Sequence, residues 1–111
     1  MSSPGKKWVV QDKYGHEIYI TEERWEHVLE YHPELEGHLD DLLNTLRTGR
    51  RRQEAAEPYK YRYHKRCADL LPDYNCIAVI VVFTIRKHPD GTIFHNNFVT
   101  TAWPVYIYRE G

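Results

Sequence analysis

At 111 residues the chain has room for one domain with a core of its own, and charged residues make up 28% of it. The longest apolar run, residues 76–83, is eight residues, which excludes a membrane-spanning helix, and the MSSPGKKW start has no apolar stretch of a signal peptide. A cytoplasmic protein with Cys67 and Cys76 as reduced thiols is the expectation. The net charge of −1 conceals two blocks: residues 12–41 hold ten acids against two bases, and residues 47–66 hold eight bases against two acids. Such a split either makes one face attractive to polyanions or closes on itself as surface ion pairs.

In chain order, residues 8–10 and 16–20 flank Asp12-Lys-Tyr-Gly15 and read as a short hairpin. Thr21 follows as a helix N-cap, with Glu22 and Glu23 in the first turn and Ile20 and Trp25 placed as a hydrophobic staple. That helix is expected to stop near His32, because a residue before proline is pushed out of the α region. Leu35, Leu39, Leu42, Leu43 and Leu46 then recur at helical spacing, with Gly49 as the C-terminal cap and Gly37 weakening the first turn, which leaves His38 as an alternative start. Residues 49–58 read as a basic loop. YKYRYH (59–64) alternates as a strand, with tyrosines on one face and Lys60, Arg62 and His64 on the other. Residues 68–75 read as a loop, 76–86 as a central strand, 88–91 as a turn, and 92–103 as an antiparallel return. The order β-β-α-α-β-β-β describes an α+β domain, residues 1–111, with two helices packed on an antiparallel sheet.

Four groups of residues carry possible chemistry. The first helix, read on a helical wheel, sets Arg24, His27 and His32 on the side of Trp25 and Val28, where a core-facing stripe should be apolar. Arginine offers a fork of donors suited to phosphate, and imidazole changes charge near neutral pH. The plainer alternative is a polar helix rim, with His32 at the helix end. His27, His32 and His38 with Glu34 would be a metal set, but the His-x4-His step from His27 to His32 turns them about 140° apart on a helix. No zinc signature is present either, so no metal and no cofactor are expected. On YKYRYH, the tyrosines either stack on bases or fill the core, while Lys60, Arg62 and His64 face phosphate or solvent. Arg50, Arg51 and Arg52 extend that basic set. Thr100 and Thr101 are ordinary strand residues, and Thr101 also offers a hydroxyl to a phosphate oxygen.

Arg24-x-x-His27, His32-Pro33-Glu34, Lys60 with Arg62, and Thr100-Thr101-Ala102 follow one another over residues 18–104. In that order they resemble the barnase–EndoU–colicin–RelE superfamily of small metal-independent ribonucleases, in its phage- and toxin-associated branches. The pattern departs at Trp103, where a tyrosine is expected. The resemblance implies endonucleolytic cleavage of single-stranded RNA by its own 2′-hydroxyl, leaving a 2′,3′-cyclic phosphate. It implies His27 and His32 as the acid–base pair, Arg24 and Arg62 on the phosphorane, and Thr101 orienting a phosphate oxygen. Lys60, His64, Arg50, Arg51 and Arg52 would bind the RNA, and a cognate antitoxin or immunity protein is an implied partner. A reading from another class competes: a non-catalytic RNA-binding or immunity-like interaction protein whose acidic helix mimics nucleic acid.

Overall fold

The structure, a computed structural model, describes residues 7–66 and 74–106. Cys67 and most of the loop expected over residues 68–75 lie outside them. Strands β1 (Lys7–Gln11) and β2 (Glu17–Thr21) form the expected hairpin, and α1 (Glu22–Tyr31) follows without a break. A 3-10 turn (Pro33–Leu35) leads to α2 (Leu39–Thr48), after which come β3 (Arg50–Gln53), β4 (Lys60–Arg66), β5 (Cys76–Lys87) and β6 (Ile93–Val105). The six strands make one sheet in the order β1-β2-β6-β5-β4-β3. The α+β class holds. Among the described residues no helix is long and apolar enough to cross a membrane.

Two features correct the expected sheet. It is mixed rather than antiparallel, because β6 lies parallel to β2 and pairs Phe98 with Tyr19. It also gains β3, from the stretch read as a basic loop, as an edge strand that pairs Arg51 with Tyr63 and Arg52 with Arg62.

Both helices lie on one face of this sheet. The Thr21 hydroxyl accepts the Arg24 N–H at 3.0 Å, the cap expected at the start of α1. At the other end, Pro33 follows the last helical bond, His32 N–H to the Val28 carbonyl. The helix buries only Trp25 and Val28 and leaves Arg24 and His27 exposed. Helix α2 buries Leu42, Leu43, Thr45 and Leu46. These side chains meet Tyr63, Ile77, Val79, Val81, Val99 and Ala102 from the inner sheet face, with Ile18 and Ile20 from the hairpin. Val99 and Ala102 both point inward although an odd number of positions separates them. A bulge at the Ile80/Val81 step resets the alternation of β6 there.

Candidate functional site

Strand register decides where each sequence-derived candidate points. Lys60, Arg62 and His64 alternate with the buried Tyr63 and so face away from the helices. Three rows cross that outer face: Arg52–Arg62–Ile80–Thr101, Arg50–His64–Ala78–Trp103, and Lys60–Val82–Phe98–Tyr19. Arg62 and Thr101 therefore share a row, with Ile80 between them. Arg24, His27 and His32 belong to the helix layer on the opposite side. The six-stranded sheet stands between the two groups, so they do not share a phosphate.

Nor does α1 assemble a compact centre of its own. Arg24 and His27 line one polar hollow with Thr21 and Glu23. His27 Nδ1 lies 3.7 Å from Glu30, and its ring packs edge-on against Tyr31 at 5.0 Å. His32 turns to Glu34 at 3.7 Å, and His38 bonds Asp41 at 2.8 Å. Each histidine of the metal set has a separate carboxylate neighbour, and no three ligand-type side chains converge among the described residues.

Among the described residues, a better-equipped cleft lies elsewhere, on the inner sheet face. Its volume is about 480 Å³, within the range of small-ligand sites. Tyr59, Tyr61, Phe83 and Ile85 give it apolar walls, and His16, Arg51, His95 and Asn97 supply the polar groups. Arg51 is the sequence-derived cation found there, beside Tyr59 and Tyr61 of the YKYRYH stretch. It sits in the middle of β3 and points opposite to Arg50 and Arg52, which places its guanidinium over inner-face rings. The guanidinium carbon is 4.1 Å from the Tyr14 ring centre, 4.5 Å from that of Tyr61 and 5.8 Å from that of Phe83. Such a stack fixes a planar cation while leaving its N–H edge available.

Beneath Arg51 lies Asp12, a buried carboxylate made by the hairpin turn. Its Oδ1 accepts the N–H groups of Tyr14 (2.9 Å) and His16 (2.8 Å), and Gly15 closes the turn at φ +91°. Its Oδ2 accepts the Tyr63 hydroxyl at 2.5 Å and lies 3.7 Å from Arg51 Nη1. Burial alone pushes this carboxyl up, but the bonds from Tyr63, His16 and Tyr14 and the nearby His16 ring outweigh it and hold the group below its ordinary value. The same burial, and the bond to Asp12, push the Tyr63 hydroxyl far above its ordinary value, against a smaller opposing pull from Arg51. Tyr63 therefore stays a neutral donor and Asp12 a carboxylate throughout the neutral range.

His16 completes the group. Its Nδ1 lies 3.3 Å from Arg51 Nη1 and 3.6 Å from Asp12 Oδ2. Arginine only donates, so a neutral imidazole with its proton on Nε2 suits the first contact. A protonated imidazole suits the second. One nitrogen thus has a partner in either protonation state, while the ring packs edge-on to Phe83 at 5.1 Å. On the floor, Asn97 donates to the Glu17 carbonyl at 3.0 Å and so pins the backbone next to His16. Among the described residues its buried Oδ1 has no hydrogen-bond partner.

Asp12, His16, Phe83, His95 and Asn97 are the residues that sequence reasoning passed over at this site. The available signal was Asp12-x-x-Gly15-His16, a turn that aims a carboxylate back at its own backbone and ends on a histidine. Compared with protein-family models, curated proteins and solved structures, this chain matches none.

Proposed function

We propose that this protein is a metal-independent endoribonuclease that works in the His16–Arg51–His95 cleft. One observation carries the reading: two imidazoles and a ring-stacked guanidinium line the same cleft. Cleavage by the RNA's own 2′-hydroxyl needs those parts. One imidazole takes the 2′-hydroxyl proton, the freed oxygen attacks phosphorus in line, and the other imidazole gives a proton to the departing 5′-oxygen. The Arg51 N–H edge meets the charge that grows on the phosphoryl oxygens, and its stacking spares reorganisation during the reaction. His16 and His95 form the acid–base pair, and Tyr61 and Phe83 supply a wall for the adjoining base. Asp12, Tyr63 and Asn97 position His16 and Arg51.

The test is cleavage of end-labelled single-stranded RNA in EDTA beside a 2′-deoxy copy. His16→Ala and His95→Ala should each slow cleavage by about 10²–10⁴-fold, the usual worth of a general acid or base. His27→Ala and His32→Ala should leave the rate within about twofold of the parent. Cleavage that survives the first pair and fails in the second would return the centre to α1. RNA left intact by the parent protein would remove the ribonuclease reading. The exposed carboxylates Glu22, Glu23, Glu26 and Glu30 along α1 favour the second reading, an interaction protein with an acidic docking helix. Capture of a basic partner lost on Glu→Lys substitution along α1, with no RNA cleavage, would establish it.

A further inference from the structure

The cleft uses only the inner face of the sheet. On the outer face, among the described residues, neither helix packs, and the cross-strand rows order its side chains by type. Cations stand on β3 and β4, small or aliphatic residues on β5, and rings or a hydroxyl on β6 and β2. Arg52 and Arg62 are direct register partners, and with His64 they line a hollow of about 300 Å³ floored by Cys76 and Ala78. Across the strip lie Trp103, half-buried opposite Ala78, and Phe98, whose ring lies 6.1 Å from that of Tyr19. The basic strip and the ring strip run parallel, two strand spacings or about 10 Å apart.

We infer that this outer face is a binding track for single-stranded nucleic acid, with phosphates over Arg52, Arg62 and His64 and bases stacked on Phe98, Tyr19 and Trp103. Three observations select that occupant. Among the described residues, the β3–β4 half of the face carries Arg50, Arg52, Lys60, Arg62 and Arg66, against the carboxylates Glu54 and Glu57 that lie beside Arg62 and Lys60, so a polyanion complements its net positive charge. The rings lie to one side of the cations, as bases lie to one side of a phosphate chain. An acidic protein surface has no use for a file of flat rings at that offset. A duplex hides the base faces that the rings would meet, so single strands are the ligand class. The track reassigns the stacking role from Tyr61 and Tyr63, which face the cleft and the core, to rings that the sequence does not place beside the arginines.

The inference is independent of cleavage, and its test uses a probe that 2′-hydroxyl chemistry cannot cut: a fluorescent single-stranded oligodeoxythymidylate, titrated by anisotropy at several salt concentrations. Arg52→Glu and Arg62→Glu, both at solvent-accessible positions, should each weaken binding about tenfold and lower the salt slope by about one. Phe98→Ala should weaken binding by about fivefold or more with the salt slope unchanged, the mark of stacking as opposed to charge. Tyr19→Leu, which keeps apolar volume, guards against a folding defect in the Phe98 variant and should weaken binding in the same way. His27→Ala, on the helix layer across the sheet and outside the cleft, should bind as the parent does. Equal affinity for duplex, equal competition by polyglutamate, or affinity unmoved by Arg62→Glu would each overturn the track. A track that binds in a protein that does not cut RNA would leave this inference standing and the cleavage reading fallen.

Discussion

Asp12 keeps its charge in the interior because four groups share it: two backbone N–H donors of its own turn, the Tyr63 hydroxyl and the Arg51 guanidinium. Removing the charge while keeping the shape separates these contributions. Asp12→Asn retains an oxygen for the turn but leaves Arg51 and His16 facing an amide, and it should cost about 2 kcal/mol of stability at pH 7. Equilibrium urea unfolding reads that loss. Because the folded state holds this carboxyl below its ordinary value of 3.8, the stabilisation is complete above that value and fades as pH falls through the lowered one. The gap between parent and variant should therefore be full at pH 6 and shrink below about pH 3.8. A gap that stays constant down to pH 2 would show that the charge contributes nothing and that the variant only disturbs packing. Under the proposed function, cleavage should fall in the same variant with folding intact at neutral pH, since Asp12 holds His16 and Arg51 in place.

At the scale of elements, the α2–β4 junction depends on an absent side chain. A Cβ on Gly49 would collide with the Thr45 carbonyl oxygen and stand 2.7 Å from the His64 carbonyl oxygen, both rigid backbone atoms. Gly49→Ala should cost several kcal/mol, on the order of the 1–3 typical of overpacking and above it if the helix cannot shift. A thermal melt within about 1 °C of the parent would refute the close approach. Gly49 was legible in the sequence as a helix stop, but its contact with β4 was not, because helix periodicity carries no information on what the helix ends against. The hairpin, both helices and the long β5–β6 pair were legible for a related reason: Thr21, Pro33, the leucine spacing and the His88–Gly91 turn are local signals. Strand β3 was hidden because Arg50-Arg51-Arg52 has no apolar alternation, the only strand signal that a short edge segment could give. An edge strand tolerates such charge, and the arginines also discourage pairing with a further strand.

At the scale of the whole molecule, the position of the site followed from one choice that no local signal records: which face of the sheet the helices cover. The alternation in YKYRYH fixes that Tyr63 and Arg62 point oppositely, yet only the packing of Leu42, Leu46 and Val28 shows that the tyrosine side is inside. With that settled, Arg62 and Thr101 part from Arg24 and His27, and Arg51 parts from its two neighbours. The parallel contact of β2 with β6 was equally out of reach, since Tyr19 and Phe98 meet across most of the chain. The sheet also ends unevenly. Among the described residues, β5 and β6 pair only with each other beyond Phe83 and Asn97, out to the His88–Gly91 turn, with Ile85, Ile93 and Phe94 in solvent. Ile85 and His95, both in this two-stranded ribbon, form one lip of the cleft. A ribbon without a third strand or a helix to lean on opens at little cost. Amide hydrogens of residues 85–87 and 93–95 should exchange orders of magnitude faster than those of residues 77–82, under conditions where the domain as a whole stays folded. Equal protection would show a ribbon as firm as the body. With fast exchange, the fixed half of the cleft is the Asp12–Arg51–His16 group and the other half breathes, so the polymer of the proposed function would enter by ribbon fraying and need no hinge between domains.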